Sequence, residues 1–176
     1  GFVGGSTLVF LQTLMPKAVK ATMQRERITV LTLTPHLARL RLGAIEAEAR
    51  RTGREKGLAR ARRIAVRLPL PLRRLVFRSL LQQMGGALSV IGCGSARLDP
   101  ELQEAWETFG IRVVQGYGTT ECPAITGHTR DSRTPGTVGR PLPGWTIRLV
   151  DDAGDELPPG RLARVMIRGP SLMEGY

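Results

Sequence analysis

Several residue classes are scarce in this 176-residue chain, and each shortage excludes a class of protein. Two cysteines, Cys93 and Cys122, are too few for a disulfide-rich secreted scaffold, and their spacing matches no metal-binding motif. No apolar run approaches the roughly 20 residues of a membrane-spanning helix. The apolar run near the start, residues 6–11, also lacks the charged flank of a signal peptide. We therefore expect a cytoplasmic protein with reduced thiols.

Acidic residues are also few, but the resulting positive charge is local. Lys and Arg number 26 against 15 Asp and Glu, which gives a net charge of +11, and lysine occurs three times. Eleven of the basic residues and one acid lie between residues 50 and 78. The remainder of the chain is nearly neutral. This distribution predicts an ordinary domain that carries one basic segment, and it argues against a nucleic-acid-binding protein.

Apolar runs and helical periodicity alternate along the first 120 or so residues. The chain is 41% apolar and 23% charged, which is typical of a globular domain. Helix-start signals, such as Asp99 before Pro100, separate β-branched or apolar runs. We predict strands at 7–11, 28–33, 87–91 and 111–114, and helices at 16–27, 36–51 and 100–109. This order predicts an α/β fold with a mostly parallel sheet and flanking helices.

The final third of the chain is rich in proline and glycine and predicts antiparallel β-structure. Strands at 146–150 and 162–167 are joined by turn residues. We place an α/β subdomain at residues 1–125 and the start of a small β subdomain at 126–176. A basic helical insertion covers about 50–84. Its apolar stripe either packs into the domain or lies on an anionic membrane surface; the stripe comprises Leu72, Leu75, Val76 and Leu80.

Two loops built from small residues follow two neighbouring strands, at 92–98 and 115–122. Ligands bind at the carboxyl ends of strands in open α/β sheets. In the second loop, Tyr117 offers a ring for stacking on a base, Thr119 and Thr120 offer donors for phosphate, and Glu121 offers a carboxylate for Mg²⁺. These features favour a nucleotide site over an ordinary turn with surface polar residues.

The residues 115–121, QGYGTTE, resemble the GYGxTE motif of the adenylate-forming superfamily. Three further segments resemble motifs of that family in the same order. They are Gly94-Ser95-Ala96, residues 137–144 (TVGRPLPG) with the strand after them, and residues 168–176 (RGPSLMEGY). The elongated basic segment makes the chain most similar to long-chain fatty acyl-CoA synthetases. Residues 160–164 (GRLAR) differ from the family, because arginines stand where glutamates are usual.

The resemblance implies a role for each matching residue. The predicted ligand-binding residues are Gly94, Ser95, Ala96, Gln115, Gly116, Tyr117, Gly118, Thr119 and Thr120. Thr120 would also act on the α-phosphate, and Glu121 would hold Mg²⁺. The implied reaction uses ATP to convert a carboxylic acid to an acyl-adenylate, and coenzyme A then displaces AMP. These small molecules, with a possible anionic membrane surface, are the expected partners.

The resemblance also implies that the family's lysine-bearing phosphate loop, its ribose-binding aspartate and its C-terminal domain lie outside these 176 residues. We therefore expect a ligase fragment that is inactive on its own. Two alternatives stay open: part of a peptide-synthetase adenylation domain, and a non-catalytic basic module that binds lipid or a protein. His36 and His128 are interpreted as structural residues, and neither cysteine is needed for the implied chemistry.

Overall fold

A computed structural model describes residues 5–13, 15–129 and 134–176. The described residues form one mixed sheet with helices and a separate two-stranded sheet. The helices are α1 Pro16–Arg25, α2 Pro35–Arg51, α3 Glu55–Ala65, α4 Leu70–Val76, α5 Arg78–Gln83 and α6 Pro100–Thr108. The strands are β1 Val30–Leu33, β2 Val90–Cys93, β3 Arg112–Tyr117, β4 Thr126–Gly127, β5 Arg140–Pro141, β6 Thr146–Val150 and β7 Arg164–Arg168.

The larger sheet has the order β1-β2-β3-β4-β5, in which β1, β2 and β3 are parallel and β4 and β5 are antiparallel additions. The predicted α/β class with a mostly parallel sheet is thus confirmed. β6 and β7 pair antiparallel from Thr146–Arg168 to Val150–Arg164, as the turn residues between them predicted. The proposed division after residue 125 stays a prediction, although β4 and β5 extend the first sheet across it.

The predicted strand at residues 7–11 is wrong. These residues have no regular secondary structure, and within the described chain they pair with no strand. Leu8 and Phe10 are 47% and 84% exposed. An apolar run becomes a buried strand only where a neighbouring strand and a covering layer receive it, and β1 forms the edge of the sheet instead.

The core lies between the parallel strands and the helices. Trp106 and Phe109 are at most 1% exposed, and Phe77 meets the Phe109 ring edge to face at 4.9 Å. The indole of Trp106 donates a hydrogen bond to the carbonyl of Ala38 in α2 at 3.2 Å. α2 starts where predicted, because Thr34 Oγ1 accepts the Leu37 N–H at 3.3 Å. The sheet is thereby held against α2 and α6.

The start of α6 differs from the prediction in one respect. Asp99 occupies the N-cap position, but its carboxylate makes no capping hydrogen bond and instead pairs with Arg39 of α2. A charged partner competes for the carboxylate that would otherwise accept a backbone N–H.

The basic insertion is helical, and its apolar stripe is divided. Leu72, Leu75 and Val76 are at least 43% exposed, whereas Leu80 is partly buried and packs against the core. Arg73 donates hydrogen bonds to the carbonyls of Leu68, Glu107 and Val66, at 2.7 to 3.1 Å. Arg74 donates to Leu88 and Gly110, at 2.8 and 3.1 Å. The helix also breaks at Phe77, between α4 and α5, and this ring takes the core position.

None of the helices in the described ranges has both the length and the apolar character needed to cross a membrane.

Candidate functional site

The two loops singled out in the sequence begin at one edge of the sheet. β2 and β3 are adjacent and parallel, and Cys93 at the end of β2 lies opposite Gln115 in β3. β1 lies on the other side of β2, with Thr32 opposite Gly92. Because parallel strands end at the same edge, both loops and the end of β1 surround one region.

This region contains a cavity of about 840 Å³. Eight of the ten predicted site residues line it: Gly94, Ser95, Gln115, Gly116, Tyr117, Gly118, Thr119 and Thr120. A neighbouring cavity of about 440 Å³ shares Ser95 and Tyr117 with the first and adds Ala96. Glu121 lines neither of these two cavities. The structure therefore brings the nine predicted nucleotide contacts together, while the predicted metal ligand lies beside them.

The loop after β3 folds tightly back on itself. The N–H of Thr119 donates to the carbonyl of Cys122 at 3.0 Å, and that of Ile125 donates to Tyr117 at 2.9 Å. A Cβ at Gly118 would lie 2.2 Å from the carbonyl oxygen of Pro123, so any side chain at this position would displace the backbone. The fold leaves Tyr117 38% exposed, and an accessible aromatic ring is a surface on which a planar group can stack.

The first loop is joined to the second through a buried side chain. Gln115 is 5% exposed, and its Nε2 lies 3.5 Å from the carbonyl oxygen of Ala96. Ser95 has a positive φ of 68°, an uncommon conformation for a residue with a side chain. This backbone turns the Gly94–Ala96 segment across the end of β2.

Glu121 is strongly acidic. Hydrogen bonds from the side chains of Thr119 and Tyr176, in that order of effect, lower its pKa to about 2. The Tyr176 hydroxyl donates to Glu121 Oε1 at 2.7 Å. The carboxylate is therefore ionised at neutral pH and is a hard oxygen ligand. The described ranges hold no group of three or more His, Cys, Asp or Glu residues that could bind a metal by itself.

The sequence interpretation missed His128 as a cavity residue. β4 pairs with β3, and the N–H of His128 donates to the Gln115 carbonyl at 2.8 Å, which places the histidine on the cavity wall. Its Nε2 lies 3.0 Å from Thr137 Oγ1. A two-residue strand has too little periodicity to be predicted, so the sequence carried no signal for this position. His36 lines neither cavity.

Cys93 also reaches the cavity wall, but it is not prepared to act as a nucleophile. Burial raises the pKa of its thiol to about 11, so it is protonated at neutral pH. Cys122 is fully buried, and its Sγ lies 3.4 Å from Thr119 Oγ1. Both cysteines are free.

Parallel strands that end in two small-residue loops around a shared cavity define an α/β fold with a candidate ligand site at the carboxyl ends of its strands. The model of one family, the AMP-binding enzymes, matches residues 1–176, and the chain belongs to this family. It is 35% identical over 105 residues to a long-chain-fatty-acid–CoA ligase of Yersinia pestis, an alignment that covers 58% of this chain and 17% of that relative.

Two solved structures share the fold. ATP-bound MatB from Rhodopseudomonas palustris has a TM-score of 0.64 and 26% identity, and the match covers 95% of this chain and 27% of that one. The amide bond synthetase McbA from Marinactinospora thermotolerans has a TM-score of 0.63 and 27% identity, over 94% of this chain and 28% of that one. The chain thus spans less than a third of the length of each of these three proteins.

Proposed function

We propose that this chain is the nucleotide- and acyl-binding part of an ATP-dependent acid–thiol ligase. The observation that carries the proposal is the meeting of the loops after β2 and β3 around one cavity, with residues 115–120 along its wall and Glu121 next to them in the chain. Family membership and an ATP-bound structural neighbour support it. In this assignment the complete protein activates a carboxylic acid as its acyl-adenylate and transfers the acyl group to coenzyme A.

Different cavity residues contact different parts of ATP. Gly94, Ser95 and Ala96 lie along the adenine, where the absence of large side chains lets a planar base approach the main chain. The exposed ring of Tyr117 stacks on the base, a contact worth about 1–3 kcal/mol. Thr120 presents its hydroxyl and N–H to the α-phosphate, so its donors meet the negative charge that builds there during the reaction.

Magnesium fits Glu121. The side chain is ionised at neutral pH, and Mg²⁺ is commonly held by one or two carboxylates together with substrate phosphates. One carboxylate beside a phosphate site is therefore a sufficient protein contribution. When bound, the ion neutralises charge on the phosphate oxygens, while Glu121 fixes the position of the ion relative to Thr120.

The reaction consists of two nucleophilic substitution steps, and neither step needs an oxidant or a reductant. The acid's carboxylate oxygen bonds to the α-phosphorus of ATP as the bond to pyrophosphate breaks. The thiolate sulfur of coenzyme A then bonds to the acyl carbon, and AMP leaves with the electron pair. In the first step the cavity residues hold the two reactants in line, which removes much of the entropic barrier.

A long-chain fatty acid is the proposed substrate. The Yersinia pestis relative supports this choice, and so does the long insertion between β1 and β2. The amide bond synthetase neighbour shows that the fold also occurs in a protein named for joining an acid to an amine. Transfer of the acyl group to an amine is therefore the competing outcome of the test below.

We further propose that the chain requires the remainder of its protein for activity, because the 105 aligned residues cover only 17% of the Yersinia pestis relative. The isolated chain should bind ATP weakly or not at all, and the complete protein should bind it. Calorimetric titration of ATP into each form measures this difference, and micromolar binding by the isolated chain would overturn the proposal.

A membrane-surface role for the insertion is a second candidate, in an otherwise cytoplasmic protein. The insertion exposes several apolar side chains beside its arginines: Ile64, Val66, Leu72, Leu75 and Val76 are each at least 43% exposed. Such side chains beside basic residues suit an anionic lipid surface. Co-sedimentation of the complete protein with vesicles, with and without anionic lipid, tests this role. Absence of binding to both would exclude it.

The proposed ligase activity is tested by measuring the pyrophosphate that the complete protein releases from ATP. A panel of fatty and aromatic acids is supplied with ATP and Mg²⁺, first with coenzyme A and then with amines. We expect long-chain acids with coenzyme A to give the highest kcat/KM. Glu121→Gln should lower it by about 100-fold or more, whereas Glu174→Gln, a matched loss of a nearby exposed carboxylate, should leave it within about twofold. Equal activity of both variants would refute the site.

A further inference from the structure

The segment after β7 returns to the predicted metal ligand. The N–H of Met173 donates to the backbone carbonyl of Glu121 at 2.9 Å, and the Tyr176 hydroxyl donates to Glu121 Oε1 at 2.7 Å. Both the main chain and the side chain of Glu121 thus accept hydrogen bonds from a segment more than 50 positions later in the chain. The sequence interpretation gave this segment no role beyond its resemblance to the family.

The path of this segment is set by packing around Trp145. A Cβ at Gly169 would lie 2.2 Å from the indole of Trp145, so glycine allows the backbone to run directly against the ring. Pro170 packs in turn against Gly144, at 3.5 Å from the position of a Cβ there. The N–H of Trp145 is itself fixed to the Leu142 carbonyl at 3.0 Å. These contacts direct residues 171–176 from the β6–β7 sheet toward Glu121.

The contact leaves Glu121 able to bind a cation. An ionised carboxylate offers about four lone-pair sites on two oxygens. Hydrogen bonds from Tyr176 and Thr119 use part of this capacity, and the remaining sites suffice for a single metal–oxygen bond. Carboxylates that bind metals are commonly held by such outer hydrogen bonds, and the loss of one typically lowers metal affinity or activity by 10- to 100-fold.

We propose that Tyr176 is a positioning residue for Glu121: its hydroxyl fixes the rotation of the carboxylate, so that one oxygen faces the phosphate site while the other is held by the phenol. The inference rests on the proposed function, because it takes Glu121 as the magnesium ligand. Tyr176 touches neither ATP nor the reacting atoms in this role. It connects the β6–β7 sheet to the nucleotide loop through a single hydroxyl.

The decisive variant is Tyr176→Phe in the complete protein. Tyr176 is fully exposed in the described chain, so loss of its hydroxyl should not lower the unfolding temperature. We expect the affinity for Mn²⁺, used as a paramagnetic substitute and measured by EPR in the presence of ATP, to fall about 10-fold. The KM for Mg²⁺ should rise by the same factor, while kcat at saturating Mg²⁺ should stay within about twofold.

Ser171→Ala is the matched control. It also removes one hydroxyl from the same segment, and this hydroxyl makes no hydrogen bond to Glu121 within the described residues. Its Mn²⁺ affinity should equal that of the unaltered protein. A Tyr176→Phe affinity equal to the control would overturn the inference, as would a fall in kcat with no change in Mn²⁺ affinity.

Glu121→Gln separates this inference from the proposed function. If Glu121→Gln loses Mn²⁺ affinity and Tyr176→Phe does not, the metal site stands and the positioning role of Tyr176 is refuted. If neither variant changes Mn²⁺ affinity, the assignment of Glu121 as the metal ligand fails, and the inference fails with it.

Discussion

Replacement of Gly118 by alanine would test whether the tight fold of the QGYGTTE loop is required for activity. The added Cβ would lie 2.2 Å from the Pro123 carbonyl oxygen, 2.5 Å from its carbon and 2.9 Å from the Cys122 oxygen. All three atoms belong to the main chain, so no side-chain rotation relieves the clash. Restoring an ordinary contact of 3.4 Å requires a backbone movement of about 1.2 Å.

The movement would disturb the residues assigned to ATP. The N–H of Thr119 donates a hydrogen bond to the Cys122 carbonyl, and that of Ile125 donates to the Tyr117 carbonyl. Both hydrogen bonds cross the turn that the added Cβ would open. A displacement of about 1 Å in a positioning element costs about 100-fold in rate, or about 2.7 kcal/mol of transition-state stabilisation. We therefore expect Gly118→Ala to lower kcat/KM for ATP by about 100-fold in the complete protein, measured by pyrophosphate release.

Two glycines provide controls. Gly57→Ala lies in α3, where a Cβ meets nothing within 4 Å, and it should leave activity unchanged. Gly94→Ala also has space in the described chain, but it lies on the cavity wall. Any rise in its KM for ATP would therefore come from contact with the nucleotide. A kcat/KM for Gly118→Ala within about threefold of the unaltered protein, with an unchanged unfolding temperature, would refute the reasoning.

Two further predictions concern stability and pH. Gly110→Ala should cost about 3 kcal/mol of unfolding free energy, because its φ is +80° and its Cβ would lie 2.5 Å from Arg74. Arg74→Ala removes the clash with the side-chain Cγ but leaves the clash with the backbone nitrogen of residue 74 at 2.8 Å. In that background the cost by denaturant titration should therefore stay at or above about 2 kcal/mol, and a cost below about 1 kcal/mol would contradict the backbone contact. Glu121 has its pKa lowered to about 2, so any stability that its hydrogen bonds supply is present above the ordinary glutamate pKa of 4.5 and is lost as pH falls toward 2. The Glu121 carboxyl should accordingly stay ionised at pH 4, where a carboxyl with a pKa of 4.5 would be about three-quarters protonated. An NMR titration of this carboxyl with a midpoint near 4.5 would contradict the lowered pKa.

The sequence predicted those parts of the site that depend on short stretches of chain. A strand, a small-residue loop and a helix that starts at proline are each encoded locally, and the parallel pairing of β2 with β3 follows from the helix between them. His128 was missed because its position depends on the register of a two-residue strand. The Tyr176–Glu121 contact was missed because no periodicity relates residues 55 positions apart. Pairings that join distant segments through single contacts leave no pattern in the sequence.

The basic insertion shows that composition alone does not predict which side chains contact the rest of the domain. The charge of this segment predicts a basic surface, yet three of its arginines contact other parts of the protein: Arg62 pairs with Glu46 at 2.8 Å, and Arg73 and Arg74 donate to main-chain carbonyls. A guanidinium has five donors in a planar arrangement, so one side chain can satisfy carbonyls from several segments. Arg73 and Arg74 thus join segments of the domain, while Leu72 and Leu75 are exposed and Leu80 packs against the core. A membrane contact would therefore use the exposed leucines together with the basic residues that these contacts do not hold.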